Sequence, residues 1–157
     1  MTELPDDRGV YLDRQTPTVY KAMREWAGDI ARIRSELGVD PKLVELVNIR
    51  VSQINGCHFC LDVHTRRARA AGETDRRLTV LPAWRETDVF TEQERAALDF
   101  AEAVTELPPY DERIAREHAA REVLGDDVYA LVSWLAIAMS SFNRLSIVSR
   151  HRLPRLN

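Results

Sequence analysis

The chain has 157 residues, 45% of them apolar and 30% charged, which makes one compact domain with a sizeable core and excludes a disordered chain. Lysine and arginine total 22 against 25 acidic residues, and a formal charge of −3 leaves no basic footprint for nucleic acid. The start, Met1-Thr2-Glu3-Leu4-Pro5-Asp6-Asp7-Arg8, is acidic with no apolar run, so we expect no signal peptide and a cytoplasmic location.

Residues 1–12, charged and proline-containing, read as a loose arm. Thr16-Pro17 is a helix start, an N-cap hydroxyl followed by proline at the first helical position. The helix it opens runs through Tyr20, Met23, Trp26, Ile30 and Leu37 to a stop at Gly38. Asp40-Pro41 repeats the signal for a second helix, Lys42 to about Gln53. Its polar positions Lys42, Glu45, Asn48 and Ser52 share one side, and Leu43, Val44, Leu46, Val47 and Val51 cover the rest. From the residues alone, Glu45 is a solvated carboxylate on that stripe.

A third helix enters at Cys57 and ends at Gly72. At about 100° per residue, Cys57, Cys60 and His64 fall within roughly 60° of one another, and Ala68 and Ala71 continue the stripe with small side chains. Thr74-Asp75 caps a short helix that ends near Pro82. Thr91-Glu92-Gln93-Glu94 has the form of a capping box, opening a helix that runs to Pro108-Pro109. Asp111 caps the next, which stops at Gly125. The last, Asp127 to Ser149, is apolar nearly all round from Val128 to Met139, so it is buried on every side. Ser133, Ser140, Ser141, Asn143 and Arg144 interrupt it, and it falls short of a membrane span. A chain this short has too little other structure to wrap it, so it also serves as a subunit contact. No period-two strand pattern occurs. The expected fold is all-α, a single-domain bundle of about seven helices over 13–150, with a basic tail at 151–157.

Cys57 and Cys60 are the only cysteines in the chain, and three readings of them compete. They can be two small buried hydrophobes. They can be zinc ligands with His64 and with His58 or His118, although a zinc site draws its remaining ligands from a second cluster that the sequence lacks. The redox reading needs only what is present. A helix N-terminus and a nearby imidazole lower a thiol's pKa, and two sulfurs one turn apart close a disulfide once one is oxidised. His64 lies one turn beyond Cys60, within reach as a base. Outside the zinc reading His58 and His118 join no constellation, and His151 sits in the basic tail with Arg150, Arg152 and Arg155.

The run Leu43-Val44-Glu45-Leu46-Val47, then Ser52-Gln53-Ile54-Asn55-Gly56-Cys57-x-x-Cys60-x-x-x-His64-x-x-x-Ala68-x-x-x-Gly72, resembles the carboxymuconolactone decarboxylase superfamily, in its alkylhydroperoxidase AhpD-like branch. Similarity continues over Ala83-Trp84-Arg85-Glu86-Thr87, Phe90-Thr91-x-x-Glu94-Arg95-Ala96-Ala97-Leu98 and Asn143-Arg144-Leu145. The resemblance implies a helical fold assembled as trimers or hexamers, and thiol peroxidase chemistry without metal, haem or flavin. In it Cys60 attacks the peroxide, Cys57 resolves the sulfenic acid to a disulfide, and Glu45 with His64 relays the proton. Its partners would be a hydroperoxide and a thiol or dithiol reductant. A thiol–disulfide reductase or redox sensor with the same dithiol is the alternative. Phe59 stands where AhpD proper has a histidine, and Ser140-Ser141-Phe142-Asn143-Arg144 where many relatives have Asn-Ala-Trp-Asn-Arg.

Overall fold

The computed structural model describes residues 9–154, and within them every regular element is helical. In chain order these are α1 (Leu12–Gln15), α2 (Pro17–Glu36), α3 (Pro41–Asn55), α4 (His58–Ala70), α5 (Asp75–Val80), a 3-10 turn (Leu81–Glu86), α6 (Glu92–Glu106) and α7 (Tyr110–Ser149). The all-α expectation holds, with the elements divided differently at both ends. Residues 1–8 of the expected arm lie outside the described residues. The part that is described is docked: the Leu12 amide donates to Ser149 Oγ at 3.1 Å, and a Cβ on Gly9 would come within 2.9 Å of the Ser149 carbonyl. At the other end, the two expected helices run as one element with a break at Gly125, whose φ of 73° and ψ of 163° lie outside the helical region.

Local chemistry accounts for most of the boundaries. The Asp40 side chain accepts from the Lys42 amide ahead of α3. Thr91 and Glu94 complete the reciprocal capping box, each side chain accepting from the other residue's backbone amide. Two expected caps are not made. Thr16 stands at the N-cap of α2 but its hydroxyl donates back to the Leu12 carbonyl, and α7 begins one residue before Asp111 with Pro109 at its N-cap.

α3 is the central strut, packed against α4, α6 and α7. Its Leu43, Val47 and Val51 join Ala97, Ala101, Leu131, Val132 and Ala136 in one core. Its Leu46 and Ile49 join Ala68, Leu81, Trp84, Phe90 and Leu98 in a second. Burying a side chain such as Val132 or Leu98 contributes about 1.5–3 kcal/mol. α3 is therefore covered on both sides, and the polar stripe goes inside with it: Ser52 is fully buried and Asn48 nearly so. That corrects the reading of the stripe as solvent-facing.

α7 is long and apolar enough to meet the length and composition of a membrane span. It is nevertheless a core helix, packing along α3 and α6 and burying Asn143, Ser146 and Ser149 among its apolar residues. It also leaves Trp134 49%, Ile137 41% and Val148 62% exposed.

A buried ion cluster fastens α6 to its neighbours. Glu102 accepts from Trp84 Nε1 at 2.8 Å, Arg50 Nε at 2.7 Å and Arg85 Nη1 at 2.5 Å. Burial alone would push this carboxyl up. The hydrogen bonds from Trp84, Arg50 and Arg85 outweigh it and hold the group below the ordinary carboxylate value.

Candidate active site

The turn between α3 and α4 places the dithiol. Gly56 closes α3 in the left-handed region, φ 71° and ψ 31°, and no other atom lies within 4 Å of where its Cβ would be. Glycine is needed there for the backbone and not for space. The next residue, Cys57, is extended and serves as the N-cap of α4, its Sγ accepting from the Cys60 amide at 3.3 Å. Cys57 thus stands just outside the helix, with Cys60 at the third helical position. Their Cα atoms are 5.3 Å apart and the two sulfurs are bonded as a disulfide.

A polar chain anchors this turn to α7. Asn143, fully buried, donates from Nδ2 to Ser52 Oγ at 3.0 Å and accepts at Oδ1 from Asn55 Nδ2 at 3.0 Å. Asn55 also reaches Ser140 Oγ at 3.3 Å, and Ser52 donates to the Asn48 carbonyl at 2.8 Å. The departures Ser140 and Phe142 fall at the site itself: Ser140 takes the Asn55 bond, and the Phe142 carbonyl lies 4.0 Å from Cys60 Sγ.

Glu45 and His64, on different helices, meet at 2.6 Å between Oε2 and Nδ1, with side chains 14% and 10% exposed. A carboxylate can only accept, so Nδ1 carries the proton and Nε2 is left as the imidazole's basic nitrogen. Cys60 and His64 both line an open cavity of about 520 Å³ bordered by α1, α2, α3, α4, α7 and the segment after α7. Glu45 lies behind His64 and opens instead onto a smaller neighbouring cavity. Cys57 lines neither, and is 1% exposed. In the disulfide state, therefore, the sulfur facing the cavity is Cys60.

One residue missed by the sequence reading is His151. A left-handed turn at Arg150 (φ 53°) brings it back over the cavity. There it hydrogen-bonds Asp13 at 3.1 Å and Ser146 at 3.2 Å, and its ring packs 5.2 Å from Phe59 and 5.1 Å from Tyr11. No local spacing links it to the dithiol. Only the packing of Tyr11, Asp13 and the turn after α7 around the cavity does. His58 and His118 are exposed. Among the described residues no group of three or more histidine, cysteine or acidic side chains is placed to hold a metal ion.

Comparison with known proteins identifies the family. The model of the carboxymuconolactone decarboxylase family matches residues 17–103, more than half the chain. YdfG of Bacillus subtilis, an uncharacterized protein, is 36% identical over 126 residues, covering 79% of this chain and 84% of its own length. The alkyl hydroperoxide reductase AhpD of Bradyrhizobium diazoefficiens is 54% identical over 35 residues, which is 22% of this chain and 19% of that protein. Among solved structures, ATU0492 of Agrobacterium tumefaciens superposes with a TM-score of 0.85 at 25% identity, over 96% of this chain and all of its own. It is a protein of unknown function provisionally described as the antioxidant defence protein AhpD. With the helical fold, the paired cysteines and these relatives together, the chain belongs to the carboxymuconolactone decarboxylase family, in its AhpD-like branch.

Proposed function

We propose that this protein is a thiol-dependent peroxidase that reduces hydrogen peroxide or organic hydroperoxides through a Cys57/Cys60 dithiol–disulfide cycle. The observation that carries the reading is a cavity-lining Cys60 sharing that cavity with an imidazole whose Nδ1 is held by a carboxylate. In the reduced protein, His64 takes the Cys60 thiol proton and Glu45 stabilises the imidazolium. The Cys60 thiolate attacks the outer oxygen of the peroxide, the O–O bond breaks, and the proton returns to the departing alkoxide, giving an alcohol or water and Cys60 sulfenic acid. Cys57 then attacks the sulfenic sulfur, releasing water and forming the disulfide. Two electrons from a thiol or dithiol reductant restore both cysteines. We place this cycle in the cytoplasm, where such reductants are maintained, and in a trimer or hexamer that covers the exposed apolar residues of α7.

The test is the rate at which pre-reduced protein loses two free thiols when mixed with hydrogen peroxide, cumene hydroperoxide or a model disulfide. Faster loss with a peroxide than with the disulfide supports the peroxidase. Loss with the disulfide alone makes the chain a thiol–disulfide reductase. An unreactive dithiol overturns both.

A further inference from the structure

The cavity beside Cys60 is far larger than hydrogen peroxide requires, and its lining is divided. At about 520 Å³ it falls in the range of pockets that bury a small organic ligand. One wall is apolar, built from Ile30 of α2 and Leu135, Ala138 and Met139 of α7. Four arginines also line it: Arg14, Arg24, Arg67 and Arg152. Among the described residues the one carboxylate lining the cavity, Asp13, is already hydrogen-bonded to His151. Arg14, Arg24 and Arg67 thus bring positive charge to the cavity of the dithiol in a protein of formal charge −3.

The arginines' partners sharpen the point. Several arginines elsewhere in the chain sit against carboxylates, Arg32 with Glu36, Arg66 with Asp62, Arg69 with Asp75 and Arg116 with Asp99, while Arg34, Arg95 and Arg144 reach backbone carbonyls. Arg24 and Arg67 come from different helices onto the same cavity, and among the described residues neither forms an ion pair or a side-chain hydrogen bond. Two unpaired cations beside an apolar wall are complementary to an amphiphile bearing one negative charge.

We infer that this cavity binds an amphiphilic monoanion, and that the hydroperoxide reduced at Cys60 is an organic one with an apolar body and a carboxylate. The second half rests on the peroxidase reading, whereas the first does not. The apolar body lies along Ile30, Leu135 and Met139, and the carboxylate lies between Arg24 and Arg67. Bound so, the ligand is held beside the sulfur by groups that take no part in the O–O cleavage. Hydrogen peroxide reacts at the same sulfur without that holding.

Two measurements test this, one of them independent of any chemistry. In the first, the disulfide form is titrated calorimetrically with decanoate and with decanol, each below its aggregation limit. Decanoate should bind about three- to tenfold tighter at low salt, the scale of one or two partly exposed ion pairs. The preference should vanish in 1 M salt, where the screening length falls to about 3 Å, and in the Arg24→Gln/Arg67→Gln double variant. No decanoate binding, or equal affinity for decanol, overturns the site. The salt arm uses the unmodified protein, so a misfolded variant leaves the test intact. In the second, reduced protein is mixed with a fatty-acid hydroperoxide and with its methyl ester, each rate referred to that protein's own rate with hydrogen peroxide. The free acid should react about three- to tenfold faster than the ester, and the double variant should bring the two together. Equal rates overturn the assigned substrate class. If no peroxide oxidises the dithiol, the peroxidase reading and its anionic substrate fail together, and the calorimetry still decides what the cavity binds.

Discussion

Replacing Glu45 by Gln tests the proton relay at its most indirect member. Glu45 touches His64 and not the cavity of the dithiol, so its effect must pass through the imidazole. A hydrogen bond to an ionised group contributes roughly 1.5–3 kcal/mol and is about twice as strong as a neutral one. The carboxamide of Glu45→Gln still offers an oxygen to Nδ1, so only the charge-assisted share is lost, about 1–1.5 kcal/mol. With tenfold in rate per 1.36 kcal/mol, the variant should oxidise about five- to thirteenfold more slowly. Glu45→Ala also leaves Nδ1 without its partner, and should slow about 10- to 150-fold by the same arithmetic. His64→Gln removes the base itself and belongs in the range of about 10²–10⁴. The assay is single-turnover thiol loss against hydrogen peroxide between pH 6 and 8, with far-UV circular dichroism to establish folding. The decisive comparison is the double variant. If Glu45 acts only through His64, Glu45→Gln adds nothing in the His64→Gln background. Effects that multiply, or a Glu45→Gln protein as fast as the parent throughout that pH range, would refute the relay.

Further outcomes are expected on chemistry, stability and assembly. With one equivalent of peroxide, Cys57→Ser should give dimedone-type labelling at Cys60 and drift to sulfinic acid in excess peroxide; prompt labelling of Cys57 in Cys60→Ser, with none in the other variant, would reverse the two roles. Glu102→Ala leaves Arg50 without its ion pair and Trp84 Nε1 without its acceptor in a largely buried cluster and should cost about 3 kcal/mol by urea denaturation. Because the Glu102 carboxyl ionises more readily folded than unfolded, its stabilisation is full above the ordinary value of 4.5 and is lost as pH falls from there through the lower folded value. Acid titration of the parent and of Glu102→Gln should therefore converge in stability at low pH. Gly56→Ala meets no steric obstacle but must hold a positive φ, so it should lose about 1–2 kcal/mol in the same urea assay while keeping its disulfide. Sedimentation at micromolar concentration should give an assembly larger than a monomer, since Trp134, Ile137 and Val148 are exposed on one helix.

What the sequence made legible divides by the range of the interaction. The capping box at Thr91 and Glu94 and the stop at Gly56 are set within four residues, and local chemistry predicts them. The Glu45–His64 pair joins two helices. Periodicity alone left Glu45 on a solvated stripe, and only the family resemblance moved it to the site. That stripe misleads for a physical reason: helical period identifies a polar side, but it does not reveal that a second layer covers it. Here α7 does so, and Asn143 supplies the donor that lets Ser52 go inside and the acceptor for the half-buried Asn55. Glu102 is hidden by the same effect, since nothing local distinguishes a buried glutamate with three donors from an exposed one on α6. His151 was out of reach entirely, because its neighbours Tyr11, Asp13 and Phe59 come from the far end of the chain and from α4.

The two sulfurs are not equivalent, and their difference orders the proposed cycle. The helix dipole favours a thiolate at Cys57, which sits at the N-cap and accepts the Cys60 amide. Access favours Cys60, which lines the cavity while Cys57 does not. These preferences conflict only if a single sulfur must both react and carry charge. In thiol–disulfide exchange they belong to different atoms: the incoming thiolate needs an accessible sulfur, and the departing one needs stabilised negative charge. A reductant entering the cavity would therefore form its mixed disulfide with Cys60 and release Cys57 as a thiolate already solvated by a backbone N–H. Peroxide and reductant would then use the same entrance, one after the other, with Cys57 kept inside as the resolving group. Trapping bears directly on this order. With Cys57→Ser, a thiol-reactive disulfide should leave a stable mixed disulfide on Cys60. A faster and more complete adduct on Cys57 in Cys60→Ser would mean that the helix end, and not the cavity, is the reductant's door.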